Sequence, residues 1–180
     1  MRVPEDRASA ASFADLALPL FDQLYSFARW LTQDKTEADD LVQETYAKAL
    51  RGFSSFQAGT NFRAWIYRIL RNSFLNSRAG LKVTMVIDEE DGETLPTVSS
   101  TPESLLMEQA TREIVQQALE TLPVHFREIL LLCDVEDMSY KEIAETLSIP
   151  TGTVMSRLSR ARKALRLALS EKSQGAGRGL

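Results

Sequence analysis

Apolar residues recur at helical spacing over most of this 180-residue chain. Leu20, Leu24, Phe27 and Leu31 predict a first helix over about 19–31. Ala38, Leu41, Val42, Thr45 and Ala49 predict the inner face of a second over 36–51. After a loop bracketed by Gly52 and Gly59, a third begins near Asn61, with Phe62, Trp65, Ile66 and Ile69 as its expected inner stripe. The pattern then fades between Ala79 and Pro102, where glycine, proline, serine and acids dominate, and returns from Leu105 through Leu122. A further helix is expected over 124–133. The fold class that follows is all-α: two small helical domains on a flexible linker, the first a three-helix bundle and the second built around a helix-turn-helix. The expected division is 1–15 disordered, 16–78 first domain, 79–104 acidic flexible linker, 105–170 second domain and 171–180 disordered tail.

Residues 139–166 carry the sharpest local signal. Ser139 and Glu142 form a capping box ahead of a short helix whose buried stripe is Ile143, Ala144 and Leu147. Ser148-Ile149 makes the turn, and Pro150 suits the first position of the next helix. On that helix Val154, Leu158, Ala161 and Leu165 fall within a narrow arc. Ser156, Ser159, Arg160 and Lys163 lie opposite, with Met155 and Arg157 on the flanks. Between residues 151 and 170 stand five bases and no acid. Two helices in this relation form a DNA reader whose second member enters the major groove.

Charge segregation explains how such a chain can have a net charge of −4. Residues 61–82 hold five bases and no acid, while residues 88–113 hold eight acids and one base. Two basic patches in an acidic molecule imply two separate nucleic-acid contacts. In the first of them, four aromatics, three arginines and three asparagines interleave between Asn61 and Asn76. Arginine supplies phosphate contacts, asparagine reads base edges, and aromatics stack on unpaired bases, a combination suited to partly separated strands.

The same composition excludes other classes. The single cysteine, Cys133, allows no internal disulfide and reads as a packed thiol. His125 is the only histidine, with no nucleophile or metal-spaced cluster around it, and no glycine-rich phosphate loop occurs. No enzyme, cofactor, metal or catalytic residue is expected. No apolar run reaches the roughly 18 residues of a membrane span, so no membrane insertion and a cytosolic location are expected.

The motifs in this order resemble the extracytoplasmic-function sigma factors, the minimal bacterial sigma subunits. D-D-L-V-Q-E-T-Y-A-K-A-L followed by N-F-R-A-W-I-Y-R-I-L-R-N is similar to that family's region two. Q-A-L-E-T-L-P through E-I-A-E-T-L-S-I-P-T-G-T-V-M-S-R-L-S-R-A-R is similar to its region four. The resemblance implies that Asp39, Asp40, Gln43 and Glu44 bind the beta-prime clamp helices of core RNA polymerase. It places Asn61, Arg63, Tyr67, Arg68, Arg71, Asn72 and Asn76 at the minus-ten element. It places Thr151, Thr153, Met155, Ser156, Arg157, Ser159, Arg160 and Lys163 at the minus-thirty-five element, with the beta flap as region four's polymerase partner. Control by an anti-sigma factor is also implied. Met155 departs from the family, standing where a basic residue is common, and Ser148 stands where the first helix often ends in glycine. Two alternatives remain at this point: a sigma-mimicking protein that sequesters an anti-sigma factor, and a non-sigma helix-turn-helix regulator.

Overall fold

The computed structural model describes residues 12–79 and 104–176, with side chains in the second stretch described for 113–171. The expected linker over 79–104 falls almost wholly outside the described residues, as do the first eleven residues and the last four. The chain divides into two compact units, residues 1–82 and 83–180, and every regular element in the described residues is helical.

The first unit is built from α1 (Phe13–Ala17), α2 (Phe21–Thr32), α3 (Lys35–Gly52) and α4 (Phe62–Ala79). A single 3-10 turn, Leu18–Leu20, joins α1 to α2 and carries Pro19 where proline's missing N–H is harmless. Each start has a local cause. Ser12 caps α1 in a reciprocal box with Asp15, Asp34 accepts from the Glu37 N–H at 2.8 Å, and Asn61 Oδ1 accepts from the Ala64 N–H at 3.0 Å. All five residues expected on the inner face of α3 are buried, and they meet Leu24, Phe27, Ala28 and Leu31 of α2. The Thr45 hydroxyl, fully buried, donates to the Leu41 carbonyl at 2.7 Å, so it enters the core without an unpaired group.

The inner face of α4 differs from expectation. Phe62 and Ile66 are buried, but Trp65 and Ile69 are half-exposed; Tyr67, Leu70, Ser73 and Phe74 complete the buried arc. The arc is turned by most of a residue's width because α4 packs on both α2 and α3 and must cover two neighbours.

The second unit contains α5 (Ser104–Thr121), α6 (Val124–Leu130), α7 (Tyr140–Leu147) and α8 (Thr151–Ala176). The helix expected to run to residue 133 stops at Leu130 and passes into a π-type turn, Leu131–Val135, closed by the Glu136 N–H on the Leu131 carbonyl at 2.9 Å. Glu128 through Leu132 are all buried, five consecutive residues and so every side of the helix. This segment is a central strut rather than a one-faced surface helix. α8 continues to Ala176, six residues into the stretch expected to be disordered.

α7 starts as expected, with the Ser139–Glu142 capping box formed in both directions. It ends at Ser148 in the left-handed region, φ 56° and ψ 46°, with the Ile149 N–H returning to the Ala144 carbonyl at 3.1 Å. Pro150 sits one residue before α8 rather than inside it; its carbonyl accepts the first helical bond, from Val154 at 3.1 Å. A serine held at positive φ is strained relative to glycine. Ser148→Gly is therefore expected to stabilise the unit by about 0.5–1 kcal/mol, the backbone strain removed being partly offset by the freer unfolded chain. Thermal denaturation checks this, and a lowered melting point would show that Ser148 is not strained.

Candidate polymerase and nucleic-acid interfaces

The outer face of α3 displays Asp40, Gln43 and Glu44 to solvent. Asp40 and Glu44 line one wall of an open groove of about 250 Å³, completed by Thr32, Leu41, Phe74 and Ser77. Arg78 of α4 spans it to Glu37 of α3 at 2.6 Å. Asp39 is only half-exposed and turns toward Tyr25. The Tyr25 phenol is raised above its ordinary pKa, first by loss of solvent and then by the Asp39 carboxylate. The four residues expected to form one contact therefore divide between two sides of α3, with Gln43 between them.

Along α3, residues 39, 43, 46 and 50 fall on one line. Tyr46 and Leu50 thus extend the acidic face as an apolar one. Leu50 is 60% exposed, and Tyr46 packs against Phe21, itself 46% exposed, with ring centroids 5.8 Å apart. Leu18 adds a neighbouring exposed apolar side chain. Sequence reasoning missed these residues, although a signal was present: Phe21 is apolar yet lies off the Leu24–Phe27–Leu31 stripe.

On α4 the expected DNA residues separate. Asn72 and Asn76 are exposed, while Arg68 and Arg71 are half-buried on the same outer side. Asn61 is engaged in capping the helix. Tyr67 is the correction: it is fully buried, its ring 5.2 Å from Phe27, with the Arg63 guanidinium 5.7 Å above it. A ring sealed in the core offers no face to a base. Trp65 is the half-exposed aromatic beside Asn72 and Asn76, because residues 65, 72 and 76 share one line of the helix. Its indole leans on Phe56 and Phe62, at 5.2 and 5.4 Å, so its orientation is set by packing within the unit.

On α8, Val154, Leu158 and Ala161 are fully buried as expected, and Leu165 is half-buried. Thr151, Met155 and Lys163 are exposed, and Thr153, Ser156, Ser159 and Arg160 are intermediate. The Ser156 hydroxyl donates to the Thr153 carbonyl at 3.2 Å, and Arg160 Nε donates to the Ser156 carbonyl at 3.3 Å. Arg157 is the second correction. Its side chain is 22% exposed and its Nη1 lies 3.9 Å from Oε1 of Glu128, which is 1% exposed. This arginine is turned toward the core of its own domain. Arg162 is tied to Asp134 at 2.6 Å, the carboxylate holding its guanidinium firmly charged. Cys133 lies beside this pair; partial burial raises its thiol pKa, as a packed and unreactive cysteine requires. Among the described residues no group of His, Cys, Asp and Glu is placed to hold a metal.

Comparison with known proteins agrees with both units. The family Sigma-70 region 2 matches residues 19–82, and Sigma-70, region 4 matches residues 112–165. The ECF RNA polymerase sigma factor SigE of Mycolicibacterium smegmatis is 36% identical over 169 residues, covering 93% of this chain; the chain spans 65% of that relative's length. The ECF sigma factor EcfG of Rhodopseudomonas palustris is 36% identical, covering 86% of this chain and 83% of its own. Among solved structures, RpoE of Bartonella quintana, in complex with the anti-sigma factor NepR, has a TM-score of 0.65 at 28% identity over 88% of this chain and 96% of that one. CnrH, bound to the cytosolic domain of CnrY, has a TM-score of 0.65 at 25% identity over 88% of each chain.

No helix among the described residues is long and apolar enough to cross a membrane. The expected cytosolic location is cut back to that statement, because the lack of a span does not fix where a chain acts. With both sigma-70 regions matched in order and more than two thirds of EcfG covered at 36% identity, the chain belongs to the extracytoplasmic-function sigma factors of bacterial RNA polymerase.

Proposed function

We propose that this sigma factor binds core RNA polymerase through α3, opens and reads the minus-ten element with α4, and reads the minus-thirty-five element with the first turns of α8. Residues 16–78 and 105–170 serve as the two functional domains, with 79–104 as the tether. The observation that carries the reading is the pairing of two faces in one chain: Trp65, Asn72 and Asn76 on α4, and Ser156, Ser159, Arg160 and Lys163 on α8. The first offers an aromatic plane with amide and arginine neighbours, which suits unpaired bases. The second offers hydroxyls and bases on the exposed side of a helix, which suits a duplex groove. A non-sigma helix-turn-helix regulator has no use for the first face.

In the polymerase contact, Asp40, Gln43 and Glu44 supply polar groups and Tyr46, Leu50 and Phe21 the apolar area, with the beta-prime clamp helices as partner. The beta flap is the partner of the second domain. The chain is not an enzyme; bond formation belongs to the polymerase. Complexes of RpoE with NepR and of CnrH with CnrY support control of this chain by an anti-sigma factor of its own.

Run-off transcription with purified core polymerase tests the whole reading, and charge reversal tests the contact. Asp40→Lys with Glu44→Lys is expected to weaken core binding about tenfold or more, because like charges brought together across an interface are strongly disfavoured. Both side chains are exposed, so helical content should fall only slightly, through loss of the Glu44–Lys48 pair. Equal affinity of variant and wild type in competition at fixed salt would refute the assignment.

A further inference from the structure

Among the five bases on α8 between residues 151 and 170, Arg157 and Arg162 pair with acids of the preceding segment. Arg162 pairs with Asp134 at the surface. Arg157 pairs with Glu128, and that pair has a different character because Glu128 is almost wholly out of water. A buried carboxylate requires a cation and hydrogen-bond donors around it. Arg157 comes within reach because α6 packs along α8. His125, one turn earlier on α6, faces the same cluster. Partial burial first, and Arg157 second, hold its pKa below the ordinary value, so its charged form is disfavoured there. Arg160 also acts on that ring from α8.

We infer that Glu128 is a positioning residue for promoter selectivity: by holding Arg157 against α6, it keeps this guanidinium off the DNA backbone and leaves contact to the groove face of α8. Phosphate contacts carry no sequence information and add equally to every site, right or wrong. An arginine on the flank of a recognition helix, with a long stem and a permanent charge, is well suited to making one. Tying it to a buried acid removes that indiscriminate contribution while Ser156, Ser159 and Lys163 keep the groove-facing side, with Arg160 between that side and Arg157. The inference rests on the DNA-binding role proposed for α8.

The test uses holoenzyme assembled from the full chain and core polymerase, titrated across a salt series onto duplexes with intact and scrambled upstream elements. Glu128→Gln is expected to bind the scrambled duplex several-fold more tightly and to lose discrimination by the same factor. Its plot of log affinity against log salt should steepen by about 0.9, the increment of one new phosphate contact. Glu128→Gln with Arg157→Gln should return the slope to that of wild type. A folded Glu128→Gln protein with unchanged slope overturns the inference, as does a steeper slope that persists in the double variant. Should Glu128→Gln fail to fold, the wild-type full chain supplies the answer through arginine side-chain NMR. Adding the upstream duplex should shift the Arg160 Nε–H signal and leave that of Arg157 in place. An Arg157 shift as large as that of Arg160 overturns the inference. Failure of the DNA-binding role itself looks different: wild-type holoenzyme would not distinguish the two duplexes, and Arg160 would not respond.

Discussion

Arg157→Ala is expected to destabilise the second domain by about 3 kcal/mol or more, a larger loss than from any other single change on the polar side of α8. The cause lies in Glu128. With 1% of its side chain exposed, it is shut off from water, and Arg157 Nη1 at 3.9 Å is a cationic partner among its contacts. Truncating the arginine leaves a charge in a low-dielectric setting, where breaking a pair costs far more than never having made one. Replacing both partners together, as Arg157→Met with Glu128→Leu, should recover most of the loss, since apolar groups of similar volume need no compensation. Urea denaturation of the three proteins checks the argument. If Arg157→Ala unfolds at the wild-type midpoint, Glu128 is satisfied by other groups. If the double variant is no better than the single one, the loss comes from packing rather than charge.

Arg160→Ala should behave in the opposite way, leaving stability within about 0.5 kcal/mol and damaging promoter choice. Arg160 is half-exposed on α8 within its first three turns, where a recognition helix approaches base edges most closely. Loss of a bidentate base contact costs about 1–3 kcal/mol, so transcription from a promoter with an intact upstream element should fall roughly 10- to 100-fold. A scrambled upstream element should erase the difference between variant and wild type. Arg166→Ala, almost two turns further along, should have the smaller effect. Equal losses on both promoters would make Arg160 a phosphate contact. Unchanged output from a folded variant would mean that the groove face is drawn in the wrong place.

These two arginines stand three residues apart with similar sequence surroundings and the same intermediate exposure, yet Arg157 reaches inward to the buried Glu128. That difference measures what the sequence could convey about the candidate site. Periodicity placed Val154, Leu158 and Ala161 inside and Arg160 and Lys163 opposite, because α8 presents a single core-facing stripe at its start. Arg157, on the flank, could have gone either way. Its direction depends on a carboxylate about 30 residues earlier in the chain, and Glu128 reads as an ordinary exposed helical glutamate until α6 is seen to be covered on every side. The Tyr67 and Trp65 exchange has a related origin. A one-dimensional pattern gives the angles between residues of α4 but not the rotation of the whole helix. Contact with α2 and α3 together turned the buried arc toward Tyr67 and left Trp65 at its edge.

Local chemistry was therefore determined by sequence alone. The helix starts at Ser139 and Asp34, the single inner stripe of α3, the turn at Ser148 and the all-helical class each depend on residues within about one or two turns of one another. Tertiary structure decided everything that requires knowing what lies on a helix's second side: which aromatic of α4 faces solvent, where the π-type turn interrupts α6, how the acids of α3 divide around the groove, and which arginine of α8 is held by the fold. Short-range hydrogen bonds and side-chain spacing are properties of the chain segment itself. Burial is a property of the neighbours, and those are chosen only when helices far apart in sequence pack together.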